Sequence, residues 1–311
     1  MANTMPRTGK KRFFIRVLKI FGWLSLILLL VVAVFAWVNR DLIQRVMLGG
    51  LKVYETTPPS LPADLKRPAI LVFSKTNGFR HEDAIPAANV LFQQMAVKNG
   101  WGYFQTENGA TFNPAMLEQF DAVIFNNTSG DVFTLDQRAA FESYIKSGGG
   151  FVGIHAAGDD SHADWSWYMT ELLGTTFTQH TLNPQFQTAT VSLDKPDHPA
   201  VQGLPSSWEH FEEWYSFDRS PRSTGVDVLI TVDEATYTPE GFLGADLRMG
   251  DHPIVWSRCI GKGRVLYSAF GHAAAAFENA QQKQFLLNAT RWALRLDGNE
   301  CDAPSVAGPG K

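Results

Sequence analysis

Short apolar runs alternate with amphipathic stretches after residue 68, which is typical of an α/β fold. The run AILVFS at 69–74 is apolar throughout, as expected for a strand that is buried on both faces. Residues 84–99 then place apolar side chains at helical spacing, and Gly100 ends this predicted helix. Further strands are predicted at 102–107, 121–127 and 150–155. Strands separated by helices in this way predict a parallel sheet.

The second half of the body has a different pattern, because its apolar runs follow one another with little helix between them. Strands are predicted at 186–193, 210–217, 227–232, 252–258 and 263–270. Apolar side chains on one face then predict a closing helix at 279–296. We therefore expect one α/β domain over residues 69–296, with a β-rich extension on its sheet.

The chain also carries an uncharged apolar segment at residues 20–38. A helix of nineteen residues is about 28 Å long, which is close to the thickness of the hydrocarbon core of a membrane. Six basic residues precede the segment, so the positive-inside rule puts residues 1–19 in the cytoplasm. The pattern predicts a single-pass protein of the inner membrane, with its main domain on the extracytoplasmic, periplasmic side.

A cleaved signal peptide is the alternative interpretation of this segment. Signal peptides have apolar regions of 7–15 residues and end in a small-x-small site, whereas the sequence here is longer and ends AVFAWVNRD. These differences favour an uncleaved anchor. Residues 39–68, which are rich in proline towards their end, are predicted to form a stalk, and residues 297–311 a polar tail.

Charge and cysteine content exclude several classes of protein. Residues 41–311 contain 20 basic and 31 acidic side chains, a formal charge of −11, which argues against a nucleic-acid partner. The two cysteines, Cys259 and Cys301, do not form a CxxC motif, so a thiolate zinc site is not expected. A bridge between them is possible in an oxidising compartment, although nothing in the sequence favours it.

Chemistry in an open α/β sheet is expected just beyond the carboxyl ends of its strands. Three histidines lie within a few residues of such ends: His81, His155 and His272. Glu213 lies within the predicted strand 210–217. We expect these four side chains to meet at one edge of the sheet.

The sequence around these strand ends resembles that of the trehalose-utilisation (ThuA-like) family. The similar motifs, in order, are S-K-T-x-G-F-R-H, G-G-G-F-V-G-I-H-A-A, E-W-Y, D-H-P-I-x-W, G-K-G-R-V-x-Y and F-G-H. The resemblance covers about residues 69–295. It implies the class I glutamine-amidotransferase-like fold, a flavodoxin-like sheet sandwiched by helices, and a role in the use of trehalose or related glycosides.

Glutamine hydrolysis is not expected, because the amidotransferase nucleophile is missing. The turn after the fourth strand reads Gly153-Ile-His-Ala-Ala157, so His155 takes the place of the cysteine in the nucleophile elbow of true amidotransferases. Without a thiolate there is no thiolate chemistry.

Imidazole and carboxylate groups suggest two other kinds of chemistry. His81, His155 and His272 are candidate ligands of a divalent metal such as Zn²⁺. Without a metal, His155, Glu213 and His81 are candidate catalytic residues for proton transfer. Both interpretations remain open at the level of the sequence.

The candidate ligand is a small carbohydrate, because aromatic side chains suited to packing against sugar rings lie near the same edge. The residues predicted to bind substrate are Arg80, Phe79, Trp167, Trp214, Tyr215 and Asp159. Two hypotheses follow: a hydrolase or lyase that acts on a sugar or sugar derivative, or a catalytically silent binding module on the same fold.

Overall fold

The structure is a computed structural model that describes residues 7–299 and Cys301. Contacts divide the chain into two compact units, with the boundary between Gly49 and Gly50. Most of the predicted polar tail lies outside the described residues.

The first unit consists of helices α1 (Arg7–Val38) and α2 (Arg40–Met47). Among the described residues, one helix is long and apolar enough to cross a membrane, and it spans Lys11–Val38. A signal sequence has the same properties. Helix α2 falls within the predicted stalk and was not expected, because its eight residues have no long apolar run.

The second unit is built on strands, whose bounds follow. They are β1 (Ala69–Phe73), β2 (Gly102–Thr106), β3 (Ala122–Asn126), β4 (Gly150–Ile154), β5 (Phe177–His180), β6 (Phe186–Leu193), β7 (Ser207–Glu213), β8 (Tyr215–Phe217), β9 (Asp227–Val232), β10 (Pro253–Ile260) and β11 (Gly263–Ser268). Nine of these form one mixed sheet in the order β2-β1-β3-β4-β11-β10-β9-β6-β7.

The direction of the strands changes across this sheet. Strands β2, β1, β3, β4 and β11 are parallel, whereas β10, β9, β6 and β7 continue the sheet in antiparallel pairs. The parallel half and the β-rich extension were both expected from the pattern. Strands β1, β3 and β4 are buried along their whole length, which explains their uninterrupted apolar sequences.

Helices cover the parallel half of the sheet and complete its core. They are α3 (Ala84–Asn99), the short α4 (Pro114–Leu117), α5 (Leu135–Ser147) and α6 (Ala280–Ala293). The capping box at the start of α5 is present, with Thr134 and Gln137 bonding each other's backbone N–H groups. The resulting mixed sheet with helices is consistent with a flavodoxin-like fold.

The predicted strand at 210–217 is two strands. The backbone N–H of Trp214 donates to the Thr181 hydroxyl, and its carbonyl accepts from the Thr181 N–H. This exchange takes Trp214 out of the large sheet, so that β8 pairs with β5 in a separate two-stranded sheet.

The segment at 51–68 has no helix or strand, but it lies against the body. The buried Lys75 ammonium donates to the Val53 carbonyl and to Glu55, at 2.6 Å in both cases. Tyr54 donates to Asp131 at 2.6 Å. The part of the predicted stalk at residues 53–55 is therefore held by the loops that follow β1 and β3.

Cys259 and Cys301 form a disulfide, which joins β10 to the end of the described chain. The bridge closes a loop with a sequence separation of 42 residues. We expect Cys259→Ser to lower the free energy of unfolding by about 2–4 kcal/mol, because the bridge restricts the unfolded chain. Urea unfolding should show that a reductant destabilises the wild type and leaves the variant unchanged. Equal sensitivity of both proteins would contradict this expectation.

Candidate functional site

Three histidines are placed at one edge of the sheet by the segments that follow parallel strands. His155 comes directly after β4, His81 lies eight residues after β1, and His272 lies four residues after β11. Because these strands are parallel, their carboxyl ends meet at the same edge.

Glu213 reaches this edge from the far end of the sheet. It is the last residue of β7, which runs in the same direction as β4 but lies five positions away. In a flat sheet the two strands would be roughly 24 Å apart, yet His155 Nε2 and Glu213 Oε2 are separated by 3.5 Å. The antiparallel half must therefore curl back over the edge, and the irregular register between β9 and β10 lies within this curved half.

These four side chains form what we call the histidine–glutamate cluster: His81, His155, His272 and Glu213. His155 Nε2 lies 2.9 Å from His272 Nδ1, which in turn lies 2.8 Å from Glu213 Oε2. The His81 ring packs edge-on against His155 and His272, with centroid distances of 4.8 and 4.5 Å. The side chains that were expected to meet do so.

The backbone of His155 is unusual for a residue with a side chain. Its φ is +50°, in the left-handed region that is costly for residues other than glycine. Its Nδ1 lies 2.8 Å from the Ala269 carbonyl, and since a carbonyl can only accept, Nδ1 carries a proton. In the neutral ring, Nε2 therefore presents a lone pair to His272 and Glu213.

The peptide that precedes His272 is held on both sides by buried side chains. Glu212 accepts from the N–H groups of Gly271 at 2.7 Å and His272 at 3.3 Å. Asn127 donates its amide to the Gly271 carbonyl at 3.2 Å. Asn127 directly follows β3 as His155 follows β4, and it too has a positive φ, of +52°. These contacts fix the position of His272 in the cluster.

Burial and neighbouring charges shift two pKa values in the cluster. Burial, together with the nearby His155 and His272 rings, lowers the pKa of His81 to about 2. Burial alone would raise the pKa of Glu213, but the neighbouring His155 and His272 rings outweigh it and bring the pKa below its usual range. His81 is thus neutral and Glu213 is charged at neutral pH.

Solvent reaches the cluster at its His272 side. His81, His155 and Glu213 are buried, whereas the side chain of His272 is 16% exposed. Two phenylalanines lie beside this opening: Phe79 contacts His81 and Phe186 contacts His272, each with ring centroids 4.9 Å apart. Aromatic surface therefore borders the exposed side of the cluster.

Of the six residues predicted to bind substrate, two contact the cluster. The Tyr215 ring lies 4.3 Å from that of His155, and Phe79 lies beside His81. The structure places Trp214 in the core, where it is 1% exposed and its indole N–H donates to the Gln187 carbonyl. Trp167 packs with Phe141 of α5 instead.

Arg80 is close to His81 in sequence, but its guanidinium is engaged elsewhere. It makes two hydrogen bonds with Glu107, at 2.8 and 3.1 Å, and a third with Glu82. The Glu107 bonds raise the pKa of Arg80. The charge of Arg80 is thus balanced by two carboxylates in this structure.

Asp159 has a local structural role, since its carboxylate caps the turn at 160–162 through the Ser161 N–H at 2.9 Å. Burial raises the pKa of Asp159 from 3.8 to about 7, although hydrogen bonds from Ser161 oppose the shift.

The raised pKa of Asp159 predicts a change of stability with pH. The folded state keeps the proton up to about pH 7, whereas the unfolded state loses it near pH 4, so stability falls as the pH rises through this range. We expect Asp159→Asn to be more stable than the wild type by up to about 4 kcal/mol at pH 8, since each unit of the pKa difference is worth about 1.4 kcal/mol, and to show little difference at pH 4. Urea unfolding of both proteins at pH 4 and pH 8 measures this difference in stability. An equal difference at the two pH values would contradict the prediction.

Several residues near the cluster were not identified from the sequence. Their common feature is contact with Glu213 or with the His272 segment, and they are Glu212, Asn127, His180, Gln185 and Phe186. The pair of acids at 212–213 was the one available signal. The Nδ1 atom of His180 lies 3.1 Å from Glu213 Oε1.

The histidines of the cluster are close enough to share a metal ion. One nitrogen from each of His81, His155 and His272 lies within 4.8 Å of the other two, and Glu213 adds a carboxylate oxygen. Nitrogen and carboxylate ligands suit zinc and similar transition metals.

Comparison with known proteins gives related structures and a family model. The model described as "ThuA: Trehalose utilisation" matches residues 69–293. A solved ThuA-like protein from Bacteroides uniformis is 29% identical, with a TM-score of 0.64, and the match covers 76% of this chain and 95% of that one. A second, from Parabacteroides merdae, is 18% identical, with a TM-score of 0.57 and coverage of 76% and 92%. No curated protein matches the sequence.

Proposed function

Since this chain belongs to the ThuA family, we propose that it acts on a sugar or sugar derivative at its histidine–glutamate cluster. The observation that carries the proposal is the convergence of His155 Nε2, His272 Nδ1 and Glu213 Oε2 within 3.5 Å at the carboxyl edge of the sheet. Imidazole and carboxylate groups that are held in one place can transfer protons, which is what sugar hydrolysis or elimination requires.

The surroundings of the cluster support a sugar rather than an anionic ligand. Phe79 is 44% exposed, and Phe186 stacks on the exposed Phe211 with ring centroids 5.9 Å apart. Such rings offer flat apolar faces to the C–H groups of a sugar. The neighbouring cation Arg80 is already paired with Glu107.

We propose in addition that α1 anchors the body outside the cytoplasm. Basic residues precede the apolar segment, as the positive-inside rule requires for a cytoplasmic N-terminus. The disulfide between Cys259 and Cys301 also fits an oxidising compartment. Labelling of a cysteine introduced at an exposed position, such as Glu209, in intact cells would test this, and labelling only after lysis would refute it.

Sugar binding and turnover can be measured on the full chain in detergent. We expect trehalose or another neutral glycoside to bind, and His155→Ala to abolish turnover. Binding without turnover would favour the alternative, a catalytically silent binding module, because His155 occupies the position of the missing nucleophile. Failure of a broad panel of neutral sugars to bind would refute the proposal.

Phe186→Ala tests whether the aromatic border contacts the sugar. Loss of one ring face removes about 50 Å² of apolar contact, and we expect binding to weaken about tenfold. Trp167→Ala is the matched control, because Trp167 packs against α5, and it should bind the sugar as the wild type does. The reverse order of effects would place the sugar elsewhere.

A further inference from the structure

We propose that the histidine–glutamate cluster is a site for a divalent transition-metal ion, with His155 Nε2, His272 Nδ1 and Glu213 Oε2 as its ligand atoms. The inference concerns the same site as the proposed function and rests on it for the role of the metal. Two imidazoles and one carboxylate form a ligand set that leaves a coordination position open for substrate or water.

The distances between the three atoms fit one ion. Zinc binds nitrogen and oxygen ligands at about 2.0–2.2 Å, so two ligand atoms of a tetrahedral site are about 3.3 Å apart. The corresponding distances here are 2.9 Å between the nitrogens, 2.8 Å from His272 to Glu213, and 3.5 Å from His155 to Glu213. Shifts of a few tenths of an ångström would bring all three within bonding distance of one ion.

The three proposed ligand atoms also have more lone pairs than protons available to them. His155 Nδ1 uses its proton on the Ala269 carbonyl, so its Nε2 is an acceptor. Glu213 Oε2 is an acceptor as well. Between them lies His272 Nδ1, which has at most one proton to share between two acceptors. A cation bound by all three atoms satisfies the whole group.

The groups around the cluster orient the ligands as an outer coordination shell does. A metal-binding histidine commonly donates its other N–H to a carbonyl, which is what His155 does with Ala269. The second oxygen of Glu213 accepts from the Gln185 amide at 2.5 Å. Glu212 fixes the backbone at His272. Each of the three ligands is thus held by a further contact.

His81 faces the same point and completes the site. One of its nitrogens lies within 4.8 Å of those of His155 and His272. Its Nδ1 is buried and has no hydrogen-bond partner among the described residues. An unpaired buried nitrogen is costly, and a place as hydrogen-bond partner of a metal-bound water accounts for it.

Metal binding can be measured directly on the full chain, purified in detergent without a polyhistidine tag and stripped with a chelator. We expect one Zn²⁺ or Co²⁺ per chain, a Co²⁺ absorption spectrum typical of nitrogen and oxygen ligands, and no competition from Mg²⁺ or Ca²⁺. His155→Ala and Glu213→Gln should weaken binding at least 100-fold. Stoichiometry near zero in the wild type would overturn the proposal.

Control variants separate loss of the site from loss of the fold. His272→Gln changes a partly exposed ligand and should fold, with the Co²⁺ spectrum lost. His198 caps the turn at 199–201 outside the cluster, and His198→Asn keeps that cap, so it should bind metal as the wild type does. Equal affinity in His272→Gln and His198→Asn would also refute the site.

The sugar assay distinguishes this inference from the proposed function. If sugars bind and turn over in the stripped protein, and no metal binds, the metal site is refuted and the proposed function stands. If metal binds as expected but no sugar does, the proposed function fails and the metal site stands.

Discussion

We expect Gly130→Ala to lower the free energy of unfolding by about 3–5 kcal/mol. Gly130 has a φ of +81°, and a Cβ atom there would lie 2.2 Å from the backbone nitrogen of Gly78. Overpacking against backbone adds to the cost of a left-handed alanine. The loop that carries His81 would be displaced, so we also expect a large loss of function.

Gly225→Ala is the matched control for this change. Its φ is +78°, almost the same as that of Gly130, but among the described residues no atom beyond its two chain neighbours lies within 4 Å of the added Cβ. Gly225→Ala should lower the free energy of unfolding only by the cost of placing an alanine in the left-handed region, about 1–2 kcal/mol. Urea unfolding of both variants measures the difference. Equal losses would mean that the contact between the loops at Gly78 and Gly130 is not tight.

Glu213→Ala is expected to abolish sugar turnover and to lower stability by about 3–5 kcal/mol. The carboxylate is 1% exposed and accepts from the Gln185 amide and from His272, while His180 Nδ1 lies 3.1 Å away. Its removal takes this acceptor from the partly buried Gln185 amide and His272, and each unpaired buried group costs about 1–3 kcal/mol.

Glu209→Ala provides the comparison on the same strand, because Glu209 is exposed. Its effect on unfolding should stay within about 0.5 kcal/mol, and turnover should be unchanged. Thermal and urea unfolding, together with the sugar assay, test both variants. Retained turnover in Glu213→Ala would remove this carboxylate from the site.

The buried strands could be predicted from the sequence because their burial on both faces leaves a continuous apolar signal. Strands β1, β3 and β4 differ from expectation by a residue at each end at most. Strand β5 gave no comparable signal, and β8 was predicted only as the end of one longer strand at 210–217. They are four and three residues long, and they pair with each other only because Trp214 turns out of the large sheet towards Thr181.

The candidate site was predictable in part, for a geometric reason. His81, His155 and His272 follow parallel strands, whose carboxyl ends necessarily share an edge. Glu213 approaches these histidines only because the antiparallel half of the sheet curls. The local pattern of apolar and polar residues does not predict such curvature. The side chain of Trp214 points into the core, and its position in a predicted strand could not show this.

The two aromatic borders of the cluster come from separate pieces of chain. Phe79 belongs to the loop after β1, whereas Phe186 and Phe211 belong to the paired strands β6 and β7. A mutant library at these three positions would alter the entrance without replacing any residue of the histidine–glutamate cluster. Directed evolution of sugar preference could therefore vary one border at a time, with little penalty in folding.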